Sequence, residues 1–310
     1  MTIAAPDVTM RVSGLSAASG GSMVAHPPDS GLFWVCPSLT PLTYTQVWKR
    51  FSAAQQLRYN QLTALHFAEL ISGFEAGGSR ALAILVARGD TTSSLAEKLR
   101  GFIEDEANHI ARWRELLILG DPLWRANKSG RGILGCLVGM LARRRNLMPL
   151  LFWLMLALEE HGVEISRRCV QMPRGALDGL FDAAFRDHLR DEVRHVQLDV
   201  HLIEQFYAPL SAFWRRVIAW TFKQLLSRVL LAPRKASKHV IARLIAEHPE
   251  LVGMKPEIVT QLVALGLDSN YQEMMYSRKS TPQLFAMFDR FPEMHAISSV
   301  LSSYEPPRHG

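Results

Sequence analysis

Cysteine is scarce in this 310-residue chain: Cys36, Cys136 and Cys169 are three in number, far apart, and form no CxxC pair. An odd, widely spaced set argues against a disulfide framework and a thiolate metal site, and fits a reducing cytoplasm. Long apolar runs are also missing. The most apolar stretch, residues 147–158, is too short to span a bilayer and contains Pro149, so it reads as a buried core helix, and no membrane partner is expected. Residues 1–30 carry no basic segment leading into an apolar run and are broken by Pro6, Gly14, Gly20, Gly21, Pro27 and Pro28, so no secretory signal is expected. The formal charge of +6 is scattered and densest at Arg143-Arg144-Arg145, without the interleaved aromatics of a nucleic-acid platform. Nucleic acid is therefore not an expected partner. The charge reads as a solvated surface, with a basic face for an acidic protein as the alternative.

Alternating β-branched runs are absent as well, and from about residue 45 the pattern is helical, punctuated by glycine and proline. With 48% hydrophobic residues the chain can bury a sizeable core. Residues 1–43 read as a flexible lead-in and 44–310 as a single all-α domain. Four long helices are predicted, over about 54–74, 93–119, 150–170 and 177–206, the number a four-helix bundle requires. The first is expected to end at Gly77-Gly78, and the second to be capped near Ser93-Ser94. Additional C-terminal helices over about 211–231, 237–246, 256–276 and 281–288 contain no ligand-type cluster and are assigned to covering or extending the bundle.

Two copies of one pattern carry the chemistry. Asp105-Glu106-Ala-Asn-His109 and Asp191-Glu192-Val-Arg-His195 are both D-E-x-x-H, 86 residues apart, and both lie in long helical sequence. On a helix, Glu at i and His at i+3 share a face, so each copy aims a carboxylate and an imidazole at one point. One such pattern arises by accident in roughly one chain of this length in fifty, and two together far more rarely. A two-metal carboxylate site needs this motif from two helices and one further carboxylate from each of the other two. On the first helix Glu69, in an otherwise apolar stretch, is the candidate, whereas Glu75 lies beside the glycines and reads as a solvated helix end. On the third helix Glu160 is chosen, with Glu164 as first reserve and Glu159 as second. Four carboxylates balance two divalent cations. Oxygen-rich ligation with imidazole favours iron, with manganese as the alternative. His188 stands four residues before Glu192 and extends the inner stripe to a third imidazole, and Asp105 and Asp191 are placed to accept the free ring N–H of the ligand histidines.

Glu69, Glu106-x-x-His109, Glu160 and His188-x-x-x-Glu192-x-x-His195 together resemble the ferritin-like di-iron N-oxygenases of the p-aminobenzoate N-oxygenase type, over a core of about residues 54–206. The resemblance implies a ferritin-like bundle holding two Fe ions, with O2 as co-substrate bound as a peroxo species. It also implies oxidation of an amine, aryl or carrier-protein-bound, to hydroxylamine, nitroso or nitro in secondary metabolism. No flavin, nicotinamide or iron–sulfur motif is evident, so electrons are expected from an external reductase; a homodimer is compatible with the sequence. An iron-storage ferritin is argued against by the second Glu-x-x-His, and a tyrosyl-radical subunit by Trp113 four residues after His109. A di-iron hydroxylase or desaturase acting on carbon is the alternative reading, because substrate choice lies in pocket shape.

Overall fold

The computed structural model describes residues 28, 29, 31–124, 138–231 and 236–307. The bundle is built from α1 (Ala53–Ala87), α2 (Ser93–Gly120), α3 (Met148–Val170) and α4 (Gly179–Phe206). Each start follows from local chemistry. Ser52 and Gln55 form a reciprocal capping box on α1. The Thr92 side chain, one residue ahead of the expected serines, accepts from Leu95 N–H on α2. Pro149 sits in the first turn of α3, where its missing N–H costs nothing. Asp178 accepts from the Leu180 and Phe181 amides at the start of α4.

The first helix does not stop at Gly77-Gly78. It runs on to Ala87, because Ala81, Leu82 and Leu85 bury fully beyond the glycines and outweigh the roughly 1 kcal/mol that each glycine costs a helix. By length and composition α1 passes as a membrane span. Here it is a bundle helix packed along α2 and carrying buried glutamates.

Two apolar clusters fill the bundle. One gathers Leu82 and Leu85 of α1, Leu99 and Phe102 of α2, Leu150–Ala157 of α3 and Leu202 and Ile203 of α4. The other gathers Leu62 and Leu65, Trp113 and Leu116, Ile165, Phe181 and Phe185. Between them, at one level on all four helices, lies a layer of acids and histidines.

Residues 31–43, expected to be flexible, instead pack against the bundle: Trp34, Val35, Leu39 and Leu42 are buried. Trp34 stacks on Phe181 at 5.1 Å, and Phe33 makes a β-bridge with Leu177. Residues 1–27 of the proposed lead-in lie outside the described residues, as does Cys136. Among the described residues no longer strand is present. The close approach of α2's end to this strap requires a glycine, since a Cβ on Gly120 would stand 2.7 Å from Leu65 Cδ2 and 3.0 Å from Trp34 Cζ3.

The C-terminal helices are α5 (Ala212–Leu225), continued by a π turn over Leu226–Leu230, then α6 (Ala236–Glu247), α7 (Lys255–Ala264), α8 (Ser269–Met275) and α9 (Pro282–Arg290). The single helix expected over 256–276 is split, because Asp268 leaves the helix and caps α8 through Tyr271 N–H at 2.8 Å. These helices cover α3, where the Trp153 ring packs among Tyr207, Phe222, Phe288 and Phe291. Glu160 clasps the cover: its carboxylate accepts the Gln283 and Leu284 N–H groups at 2.7 and 2.8 Å, neutralising the orphan amides at the start of α9. Glu160→Ala should therefore lower stability by about 1–3 kcal/mol while the four long helices persist, measured by thermal unfolding followed by circular dichroism.

Candidate metal centre

Two overlapping groups of buried side chains bring their ligand-type atoms within 4.8 Å of one another: Glu75, His109, His188 and Glu192, and Glu106, His109, Glu192 and His195. Glu192 and His109 belong to both. His188 Nε2 lies 3.3 Å from both Glu75 Oε1 and Glu192 Oε1. His195 Nδ1 lies 2.9 Å from Glu106 Oε1 and 3.4 Å from Glu192 Oε1. His109 Nδ1 lies 3.3 Å from Glu192 Oε1 and 3.8 Å from Glu75 Oε1.

The outer ring nitrogens are held across helices. Asp191 of α4 meets His109 Nε2 of α2 at 3.2 Å, and Asp105 of α2 meets His195 Nε2 of α4 at 3.5 Å. Each aspartate thus serves the histidine of the other motif copy, and Arg194 ties the two aspartates together at 3.3 and 2.8 Å. With Nε2 held outward by the aspartates, the Nδ1 atoms of His109 and His195 face into the layer. His188 is reversed: its Nδ1 bonds the Ser166 hydroxyl at 3.0 Å and its Nε2 faces inward. Gly162 makes room for that ring, since a Cβ there would stand 3.1 Å from His188 Cε1. Phe102 stacks on His195 at 3.9 Å, and the Trp113 ring lies edge-on to His188 at 5.5 Å, closing the two flanks.

The structure leaves Glu69, Glu160 and Glu164 outside this cluster. Glu69, six residues before Glu75 and so on a different face of α1, accepts the Trp124 indole N–H at 3.2 Å. Glu160 points a third of a turn away from the layer, to the start of α9. Glu164 is held by Arg167 and Arg168. Glu75 stands in the cluster instead, and Glu159, outside both groups of four, turns its carboxyl toward Glu192 and Glu106. Glu159 shares its stripe with Gly162 and Ser166, the face turned toward His188. Asp199, one turn beyond His195, was also missed; it is fully buried, and neither of its carboxylate oxygens has a hydrogen-bond partner. The i, i+4, i+7 continuation from His188 through Glu192 and His195 was the available signal for it.

Crowding governs the protonation of this layer. Burial, then the neighbouring Glu106 and Glu192 charges, push Glu75 well above the usual carboxylate range. Burial, then Glu192, does the same to Glu159, and burial raises Asp199. Burial opposes Glu192 ionising, but His188 and the other surrounding donors hold it well below that range. Burial pulls His188 down to about 4, which keeps it neutral. Burial pulls on His195 too, but Glu106 and Glu192 outweigh it and lift the imidazole to about 10.

The donor set fits a pair of divalent cations. Both oxygens of Glu75, Glu106 and Glu192, and Nδ1 of His109 and His195, are buried without a hydrogen-bond partner, a costly condition that bound cations relieve. Carboxylates with imidazoles are hard-to-borderline donors suited to iron or manganese.

A family model described as P-aminobenzoate N-oxygenase AurF matches residues 24–249. The chain belongs to this family. No curated protein and no solved structure matches it significantly. The AurF-family match spans all four helices that carry the layer and ends before α7.

Metal uptake should displace protons, from His195 above all, so affinity should rise with pH and calorimetry in buffers of different ionisation enthalpy should detect proton release. In metal-free protein the raised His195 contributes stability that is complete below about pH 6.5 and is lost as pH rises through about 10. Unfolding midpoints between those values should fall for the metal-free form and stay flatter for the loaded one. Glu75→Ala and Glu159→Ala should lose metal measured by elemental analysis, whereas Glu69→Ala and Glu160→Ala should keep it.

Proposed function

We propose that this chain is a di-iron oxygenase that uses dioxygen to oxidise the nitrogen of an amine. Glu75, Glu106, His109, Glu159, His188, Glu192 and His195 would hold two irons, with manganese as the alternative metal. The observation that carries the reading is the third inward imidazole, His188, grouped with the buried carboxylates Glu75 and Glu192 in a chain whose family is named for N-oxygenation. The metals, when bound, supply the activation of dioxygen.

The chain's own residues do the rest. Four carboxylates neutralise two divalent charges, so the loaded layer can remain between apolar cores. Asp105, Asp191 and Ser166 fix which nitrogen each imidazole turns inward. Phe102 and Trp113 exclude water from the flanks, protecting an oxidant from quenching. Asp199, kept neutral by burial, leaves that charge balance undisturbed and offers a proton beside the layer.

The substrate class is an aryl or carrier-protein-bound amine of secondary metabolism, oxidised to hydroxylamine, nitroso or nitro. Electrons would come from a separate donor, and a reducing cytoplasm suits the free Cys36 and Cys169. The test is to reduce the iron-loaded protein, admit labelled dioxygen, and supply a panel of arylamines, aminoacyl compounds and fatty acyl compounds. Products of the amines should be heavier by labelled oxygen on nitrogen. Oxidation only at carbon would transfer the assignment to a hydroxylase or desaturase. His188→Ala should keep its helicity and lose at least half of the bound iron, with N-oxygenation falling by about 100-fold or more.

A further inference from the structure

Residues 205–246 contain no aspartate or glutamate and carry eight lysines and arginines. Much of this stretch is α5 and its π turn, whose inner face is anchored in the core by Ile218, Phe222 and Leu226. Its outer face presents large apolar groups to solvent: Phe213 is 65% exposed, Trp220 64% and Val229 61%. Phe213 and Trp220 are two turns apart on one face, with Arg216 exposed between them and Arg228 exposed beyond. Arg216 and Arg228 have no acidic partner among the described residues, unlike Arg215, which bonds Glu293 at 2.9 Å. The surface is an aromatic centre rimmed by uncompensated cations.

We propose that this face of α5 and its π turn is the docking surface for a small acidic electron-carrier protein, an inference that rests on the oxygenase reading and its need for an external donor. Trp and Arg are the side chains that dominate protein–protein binding energy, and unpaired cations around them select a partner rimmed with carboxylates. The patch is short, a few side chains wide, which suits the small, transient contacts of electron transfer rather than a permanent assembly. A second copy of the chain would set cations against cations. A lipid surface would have to engage an element whose continuous apolar stripe is already buried inward, leaving only isolated rings to insert. Beneath the patch, Phe222 of α5 meets Trp153 of α3 at 5.9 Å, so the docked partner would sit on an element packed directly against the helix bearing Glu159.

The test reads binding, not turnover, and uses the metal-free full chain, so a failed metal or substrate assignment cannot masquerade as a failed surface. The probe is oxidised plant-type [2Fe–2S] ferredoxin. Binding should weaken about tenfold or more between roughly 50 and 300 mM salt. Arg216→Glu, Arg228→Glu and Trp220→Ala should each weaken it by about tenfold at low salt, with unchanged helicity and melting point. Arg144→Glu, an equal charge change at the exposed Arg143–Arg145 group, should leave it unaltered. No binding of ferredoxin, or equal weakening by Arg144→Glu, would overturn the proposal. So would Trp220-dependent binding to phosphatidylglycerol vesicles in place of ferredoxin, or a dimer that Trp220→Ala dissociates.

Discussion

Everything in this protein is arranged around the repulsion among five buried carboxylates. Glu75, Glu106, Glu159, Glu192 and Asp199 occupy one layer between two apolar clusters, and each uncompensated charge in such a place costs several kcal/mol. A domain is stable by only about 5–15 kcal/mol in total, so the layer cannot remain simply ionised. Protons answer the problem in the metal-free protein: Glu75, Glu159 and Asp199 are pushed toward their neutral forms while Glu192 stays charged beside His195. A pair of cations would answer it too, because ligand-type atoms of Glu75, Glu106, Glu192 and the three histidines gather in two overlapping groups.

The histidines are what keep this crowding ordered. His109 and His195 are gripped from outside by aspartates belonging to each other's helix, which couples α2 to α4 through Arg194. His188 is gripped by Ser166, which couples α4 to α3. Imidazoles held this way cannot turn to pair with other groups, so their inward nitrogens remain available. The apolar clusters above and below make the grip rigid, and the rings of Phe102 and Trp113 link that packing to the imidazoles.

The C-terminal helices contribute no atom to either group of four, yet Glu160 connects them to the layer. Adjacent glutamates on α3 face different partners, Glu159 the acids and Glu160 the α9 amides. A helix turns about 100° per residue, so one position separates a residue of the buried layer from a structural clasp. That difference shows how finely the α3 register matters: a slip by one residue would exchange the two roles.

Read alone, the sequence determined the all-α class, the four long helices and the core of the layer. Glu106, His109, His188, Glu192 and His195 sit in motifs whose i, i+3 and i+4 spacing dictates a shared face wherever the helix is placed. Asp105 and Asp191 were legible for the same reason, though not their exchange between helices, which depends on how α2 and α4 pack. Single carboxylates carry no such spacing. Whether Glu69 or Glu75, and Glu159 or Glu160, joins the layer depends on helix rotation and on where a helix ends, and both are decided by partners distant in sequence. Local propensity read Gly77-Gly78 as a stop, but the burial of Leu82 and Leu85 against α2 and α3 carried α1 through it and turned Glu75 inward. Glu160 was read as a ligand until α9, more than a hundred residues later, supplied the amides that hold it. Spacing within one helix is local geometry, whereas the rotation of one helix against another is set only by the packing of the whole bundle.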